Sequence, residues 1–419
     1  MKQRIVLTTI VAIMLTFSAC LKDTATMHYK LYQPIKESMT DVRSKIAVQS
    51  AQNIVTPGKI TVIGNYLFVT EQGSGIHIIN NSNPAAPVNE SFIAIPGNQD
   101  VSVRGNYLYA DCYTDLIVFD ISNKRQPQRV NYISDVFKDR RSSYGYYADS
   151  GYIVTGLTVR DTTVSLEGGA VTNYWYYNNG VDYMLTNSGA AQPSNNSSNT
   201  ANSTSGSMAR FALVNNRLYT VETYYLSSFN VNNPALPVAM GRNCIATGIE
   251  TIYPFKDKLF IGTQGGMFIY DITNPDNPTY TGSFSHARLC DPVITDGNYA
   301  YVTLHASTNI CVGTDNELDV VDVNNLQNPI LIKKYNMTKP MGLGKDNNHL
   351  FVCDDGLKVY DATNPKSLSL IKTIAVAEPY DVICINGLAI VSATDGLYQY
   401  DYKDINNITP LSKINISKK

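Results

Sequence analysis

DVSVRGNYLYADCYTDLIVFDISNKRQP, residues 100–127, reads as three strands in succession. The first, VSVR, is short and stops at Gly105-Asn106, a dipeptide suited to a tight turn. The second, YLYADC, alternates in polarity. After Tyr113-Thr114 the run Leu116-Ile117-Val118-Phe119 is continuously apolar, as expected of a strand buried on both faces. Asp120 closes that run. Its carboxylate can accept a hydrogen bond from backbone two residues on and so begin a turn, and Pro127 keeps the segment out of a central ladder.

The same plan recurs at 59–87, 208–237, 249–278, 291–329, 340–365 and 379–407, making seven copies. The proline after the third strand falls at Pro84, Pro127, Pro234, Pro275, Pro329 and Pro365. Its usual spacing of about forty residues is that of one four-stranded propeller blade. A lone blade cannot cover its apolar faces, whereas blades packed radially bury them against neighbours. The expectation is an all-β, seven-bladed β-propeller, with six or eight blades as alternatives and an eighth needing a degenerate copy within 136–206. VRSKIAV (42–48) is expected to help close the ring beside the last blade. Asp120, Asp271, Asp322 and Asp361 are read as turn-formers, not catalytic acids.

These units resemble the LVIVD-repeat family of bacterial β-propellers. DLIVFDIS (115–122) and ELDVVDV (317–323) come closest to its namesake motif, while GNYLYAD (105–111), CDPVITDGNYAYVTL (290–304) and GLKVYDATNP (356–365) resemble Bacteroidetes lipoproteins of that group. The resemblance implies a propeller on the cell envelope and says little about chemistry, since one fold hosts many functions.

The amino terminus reads as a processing signal. Lys2 and Arg4 precede an apolar run from Ile5 to Phe17, and Phe17-Ser18-Ala19 leads into Cys20 in the manner of a bacterial lipobox. The domain reading is a lipoprotein signal peptide at 1–19, a lipid-anchored tether at 20–41 and the propeller at 42–419. Acylation of Cys20 would make the membrane a partner and place the protein at the cell outer membrane. Leu21-Lys22-Asp23 partly resembles a surface-export signal of Bacteroidetes lipoproteins, although Thr24 stands where a second acid is expected. Thr24 and Thr162 sit in Asp-Thr-Ala and Asp-Thr-Thr and are candidate O-glycosylation sites by resemblance to that phylum's motif.

The period breaks at 136–206. Residues 151–164 read as strand or hairpin, and NYWYYNNGVDY (173–183) holds the single Trp, Trp175, whose aromatic surroundings suit either packing on the propeller or a partner. The polar tract at 187–207 is expected to be flexible, having too little apolar surface to offset the entropy of ordering. An exported protein can form disulfides, and Cys290 with Cys311 is the candidate pair. Cys112, Cys353 and Cys384 lie in strands as small hydrophobes.

Charge excludes one class of function. With 33 Lys+Arg against 35 Asp+Glu, the net charge of -2 provides no field to gather nucleic acid. The five His residues show no metal-ligand spacing, and no phosphate loop or nucleophile elbow is present, so neither metal nor cofactor is expected. On propeller topology the starts of first strands and the second-to-third loops share one channel mouth. That mouth would gather Glu71, Asp111, Tyr113, Arg288, His305, Asp354 and Asp381, with Asp100, Glu222, Tyr224 and Asp291. These groups suit a polar ligand. The leading expectation is a non-catalytic binding propeller for a glycan, peptide or protein. A hydrolase or lyase with acids in the funnel, and a structural envelope component, are the alternatives.

Overall fold

The computed structural model describes residues 26–165, 201–286, 292–306 and 316–417. Seven four-stranded antiparallel units, each continuous in sequence, occupy 57–94, 101–133, 211–244, 249–285, 293–336, 343–374 and 379–415. They are blades 1 to 7 of a β-propeller, and each sheet runs from its first strand at the centre to its fourth at the rim.

The apolar third strands explain the ring. Alternate residues of a strand point to opposite faces of its sheet. In blade 2, Ile117 and Phe119 therefore pack with Phe68, Ile76 and Ile78 of blade 1, while Leu116 and Val118 pack with Phe211 and Phe229 of blade 3. Every junction repeats this, giving seven apolar clusters for seven blade pairs. Each large aliphatic or aromatic side chain so buried contributes roughly 1.5–3 kcal/mol.

Two asparagine or aspartate turns link the third and fourth strands of every blade. Asp120 Oδ1 accepts from Ser122 N at 2.8 Å, and Asn123 Oδ1 accepts from Arg125 N at 3.1 Å. The first turn recurs at Asn80, Asn230, Asp271, Asp322, Asp361 and Asp401. The carboxyls of Asp120, Asp271, Asp322 and Asp361 are held below the ordinary aspartate range, chiefly by hydrogen bonds from the side chain and the backbone N–H of the residue two positions on. Their reading as turn-formers matches these contacts.

The ring closes differently from expectation. Residues 42–48 do not lie beside blade 7: Val42–Ser44 end the short helix Met39–Ser44, and Ala47–Ser50 adds a fifth, outer strand to blade 1. Blade 7 takes all four of its strands from 379–415 and meets blade 1 side by side. Ile383, Ile390 and Leu397 pack on Ile60, Leu67 and Ile79, Ser392 Oγ donates to Gly58 O at 2.9 Å, and the Asn81 and Gln399 amides bond reciprocally at 2.8 Å. Because both end blades present finished apolar faces, no exchanged strand is needed.

The stretch read as a tether is also structured from Thr26 onward. Thr26–Ser38 pairs along its length with Tyr152–Ser165 of the insertion, forming a two-stranded ribbon. Its base joins the propeller through Met39 and Val42, buried against blades 1 and 2.

Candidate functional site

First strands start on one face of the ring, here the upper face, and end on the lower. The polar tract of the insertion returns from below. Buried Arg104, at the lower end of blade 2's first strand, donates to Asn202 Oδ1 at 2.8 Å and also holds Asn215 O and Asn216 Oδ1. Thr204 and Ser205 then pair antiparallel with Val62 and Thr61 of blade 1, and Ser203 N donates to Val103 O at 2.8 Å. Ser207 reaches across to blades 6 and 7, where its Oγ donates to Asp381 Oδ1 at 3.1 Å and accepts from Leu343 N at 2.8 Å. A chain segment that touches first strands on both sides of the ring lies within the bore. Residues 202–208 thus fill the central channel and emerge at the top as Met208 and Arg210.

This corrects the expectation for 201–207. Its serines and glycine are ordered because their backbone and hydroxyl groups find partners among the first strands, a source of stabilisation that composition does not report. Gly206 is needed for close approach: a Cβ there would enter the Asp381 carboxylate. The remainder of the tract, 187–200, and Trp175 lie outside the described residues.

Above this floor opens a cup of about 700 Å³, lined among others by Lys59, Tyr113, Arg140, Arg210, His305 and Tyr380. Lys59 lies near the start of blade 1's first strand, Pro57–Ile63, and Arg210 immediately precedes that of blade 3, Phe211–Val214. Arg140, with Ser142 and Ser143, comes from the insertion and walls one side. Tyr113 holds a left-handed backbone, φ 49°, and its ring lies against Gly97, where a Cβ would strike it.

The expected site residues divide into two groups. Tyr113 and His305 line the cup. Three acids at the ends of second strands, Glu71, Asp111 and Asp354, instead clasp the loops leading into first strands, and Glu222, just past the second strand of blade 3, holds the insertion. Glu71 accepts from Val55 N at 3.0 Å and Thr56 N at 2.5 Å. Asp111 Oδ1 accepts from Gln99 N and Asp100 N, both at 2.9 Å, and its Oδ2 takes Arg140 Nη1. Asp354 accepts from Thr338 N at 3.0 Å and Lys339 N at 2.5 Å, and pairs with Lys358 at 2.6 Å. Glu222 accepts from Asp139 N at 3.0 Å and pairs with Arg242. Charge-assisted bonds of this kind are strong and directional, so the repeated acid serves as a loop clasp. Burial works to raise the Glu71 carboxyl, yet the bonds from His77, Val55 and Thr56 outweigh it and hold the group low.

Asp381 lies beneath the mouth instead of facing it. It is fully buried under Ser207 and Gly206, its Oδ1 accepts from Val382 N at 3.0 Å, and burial pushes its carboxyl up to about 7. Asp100 is also buried, holding Lys59 Nζ at 2.9 Å and Arg210 N. Tyr224 is exposed and does not line the cup. Arg288, Asp291, Cys290, Cys311, Cys20 and Thr24 lie outside the described residues. Thr162 stands in the ribbon opposite Tyr29. Cys112 and Cys353 are fully buried, Cys384 partly so, and Cys244 is exposed; all four are free thiols.

Lys59, Arg210 and Arg140 went unnoticed in the sequence. The first two stand where repeats place Asp100 and Asp381, and aligning the copies by first-strand start would have exposed the change of sign. Arg140 carries no such signal, because the insertion has no counterpart in other blades. Among the described residues, no group of three His, Cys, Asp or Glu side chains could hold a metal ion.

Comparisons with known proteins bear on the fold. LVIVD repeats are found at residues 57–92, 97–132, 258–286 and 290–337. No curated protein matches the chain in sequence. Among solved structures, it is similar to a Lactobacillus plantarum protein, with TM-score 0.54, 12% identity and coverage of 87% of this chain and 97% of that one. A functionally unknown protein from Desulfotomaculum acetoxidans gives 0.50 at 10% identity, with 86% and 98% covered. The computationally designed Ika8 protein gives 0.50 at 10% identity, with 88% and 92% covered. Likenesses at these identities concern the fold alone. The chain is a seven-bladed β-propeller carrying LVIVD repeats.

Proposed function

We propose that this protein is a non-catalytic binding propeller, held at the cell envelope by a lipid on Cys20, that presents its upper cup to a polar ligand: a glycan, a peptide or a loop of a partner protein. One observation carries the reading. The cup is floored by the chain's own residues 202–208, while the acids around it are engaged by backbone N–H groups. A site of this kind holds a ligand against a fixed base. Among the described residues, the acids placed around it are engaged as loop clasps or sealed below it and do not form the facing carboxylate pair that glycoside hydrolysis uses. Asp381, whose raised carboxyl would otherwise suit acid/base work, is sealed under the floor.

The anchor is part of the same reading. Thr26 begins the ribbon six residues after Cys20, and the ribbon's base is on the upper side of blades 1 and 2. An acylated Cys20 would therefore tether the chain from the side of the ring that bears the cup. Mass spectrometry of the mature amino terminus tests the anchor: a triacylated or diacylated Cys20 is expected, and an unmodified residue contradicts it. A glycan and peptide array probed with the full chain tests binding. Saturable capture without turnover is expected, whereas product formation from any arrayed substrate would favour the hydrolase or lyase reading.

A further inference from the structure

The lining of the cup has a sign of charge that the chain as a whole lacks. Three cations, Lys59, Arg140 and Arg210, face one cavity whose lining contains, among the described residues, a single acid, Glu250. The protein's net charge is -2, so this local excess is set against the average.

Asp100 and Asp111 stand just behind the lining and with Glu250 match the three cations in number, but those behind the lining share their charge among several donors. Asp100 is shared between Lys59 Nζ, Arg210 N and Val101 N. Asp111 serves Arg140 and also two backbone N–H groups and the Asn98 amide. Asp381 is the third, raised toward neutrality by burial. Carboxylates engaged by several donors distribute their charge among them and leave less for each cation.

The cations themselves leave donor capacity open. Arg140 Nη2 is buried without a hydrogen-bond partner among the described residues. A guanidinium has five N–H donors and normally finds partners for those it buries. Burial lowers both Lys59 and Arg210, and repulsion between cations adds to it, with Arg140 acting on Arg210 and Arg210 on Lys59. Two guanidiniums and an ammonium meeting above a closed floor resemble an oxyanion clamp awaiting its oxyanion. Tyr113 and Tyr380 add flat, amphipathic rings to the lining.

We propose that the cup binds an anionic ligand through a carboxylate or phosphate group, received by Arg140 and Arg210 with Lys59 beside them. This rests on the reading of the cup as a ligand site and names the class of ligand. It gives the insertion a role: by supplying Arg140 it adds a recognition group that the repeat does not encode.

The test is calorimetric titration of the full chain with D-glucuronate, D-glucose 6-phosphate and D-glucose. Saturable binding of either charged sugar, at least about tenfold tighter than glucose, is expected. The two charged arms separate carboxylate from phosphate. Arg210→Gln should weaken that binding by about tenfold. Because losing Arg210 could disturb the floor, Gln99→Glu and Ser142→Glu serve as independent variants. Both positions are exposed on the rim, and each new charge should weaken the anion several-fold while leaving the melting temperature unchanged. Glucose binding as tightly as the anions, or rim variants without effect, overturns the proposal. If neither anion binds while neutral glycans or peptides are captured on the array, the anion inference fails and the binding reading stands. If nothing binds in either assay, both fail.

Discussion

The blades and the insertion between blades 2 and 3 are built by opposite rules. A blade is a repeated sequence whose main features have counterparts six times over, an apolar third strand and two side-chain-capped turns, while the acid clasping a loop recurs in blades 1, 2 and 6. The insertion has no counterpart, yet it walls the cup with Arg140 and fills the bore with 202–208. Repetition makes the scaffold, and the interruption of repetition individualises its centre. The contrast can be tested by perturbing each kind of element in turn.

The largest effect should come from the blade junctions. Phe351 is fully buried, and its ring packs at a tilt 4.8 Å from that of Tyr402 between blades 6 and 7. Phe351→Ala should cost about 3–5 kcal/mol in chemical denaturation, the usual loss for a buried aromatic. A loss below about 1 kcal/mol would mean that neighbouring blades do not depend on one another.

Next comes Asp381, where scaffold and insertion meet. Its folded value of about 7 lies above the ordinary unfolded value, so the folded state prefers the protonated form. Its burial is thus tolerated best below about pH 4, and stability falls as pH rises through about 7. Asp381→Asn should flatten this dependence and raise stability at pH 8 by about 2–4 kcal/mol. Thermal melts from pH 5 to 8 on both proteins check this; parallel curves would contradict it.

A clasp should matter less. Asp354→Ala leaves the Thr338 and Lys339 amides without their acceptor and should cost about 1–3 kcal/mol. Faster amide exchange should be confined to the loop before blade 6. The smallest effect belongs to a single turn: Asp271→Ala should cost about 1 kcal/mol or less by removing one acceptor for Thr273 N, measured as a small shift in the denaturation midpoint.

How far the sequence was legible follows the same division. Period, strand plan, blade number and the turn role of Asp120 and its equivalents could all be read, because repetition shows the same physical requirement seven times. Ring closure could not: Asn81 and Gln399 are 318 positions apart, and nothing local marks them as partners. Tyr113 and His305 were placed at the mouth by topology alone, since any residue of a second-to-third loop arrives there. Asp111 and Asp354 hold backbone amides, a role the sequence does not reveal because an acid clasping a loop and an acid free for a ligand look alike in one dimension. The ordering of 201–207 was hidden for a related reason. Serine and glycine appear unable to offset their entropy until a polar bore offers each of them a partner.

The central claim is that the channel is a cup with a floor and not an open tunnel. Hydrogen–deuterium exchange of the full chain tests it most directly at Ser203 and Gly206, whose amides donate to Val103 O and Ile60 O. Protection within about tenfold of the first-strand amides of blades 1 and 2 is the result expected. Exchange at the rate of an unstructured peptide would leave the bore open and remove the base on which the proposed site stands.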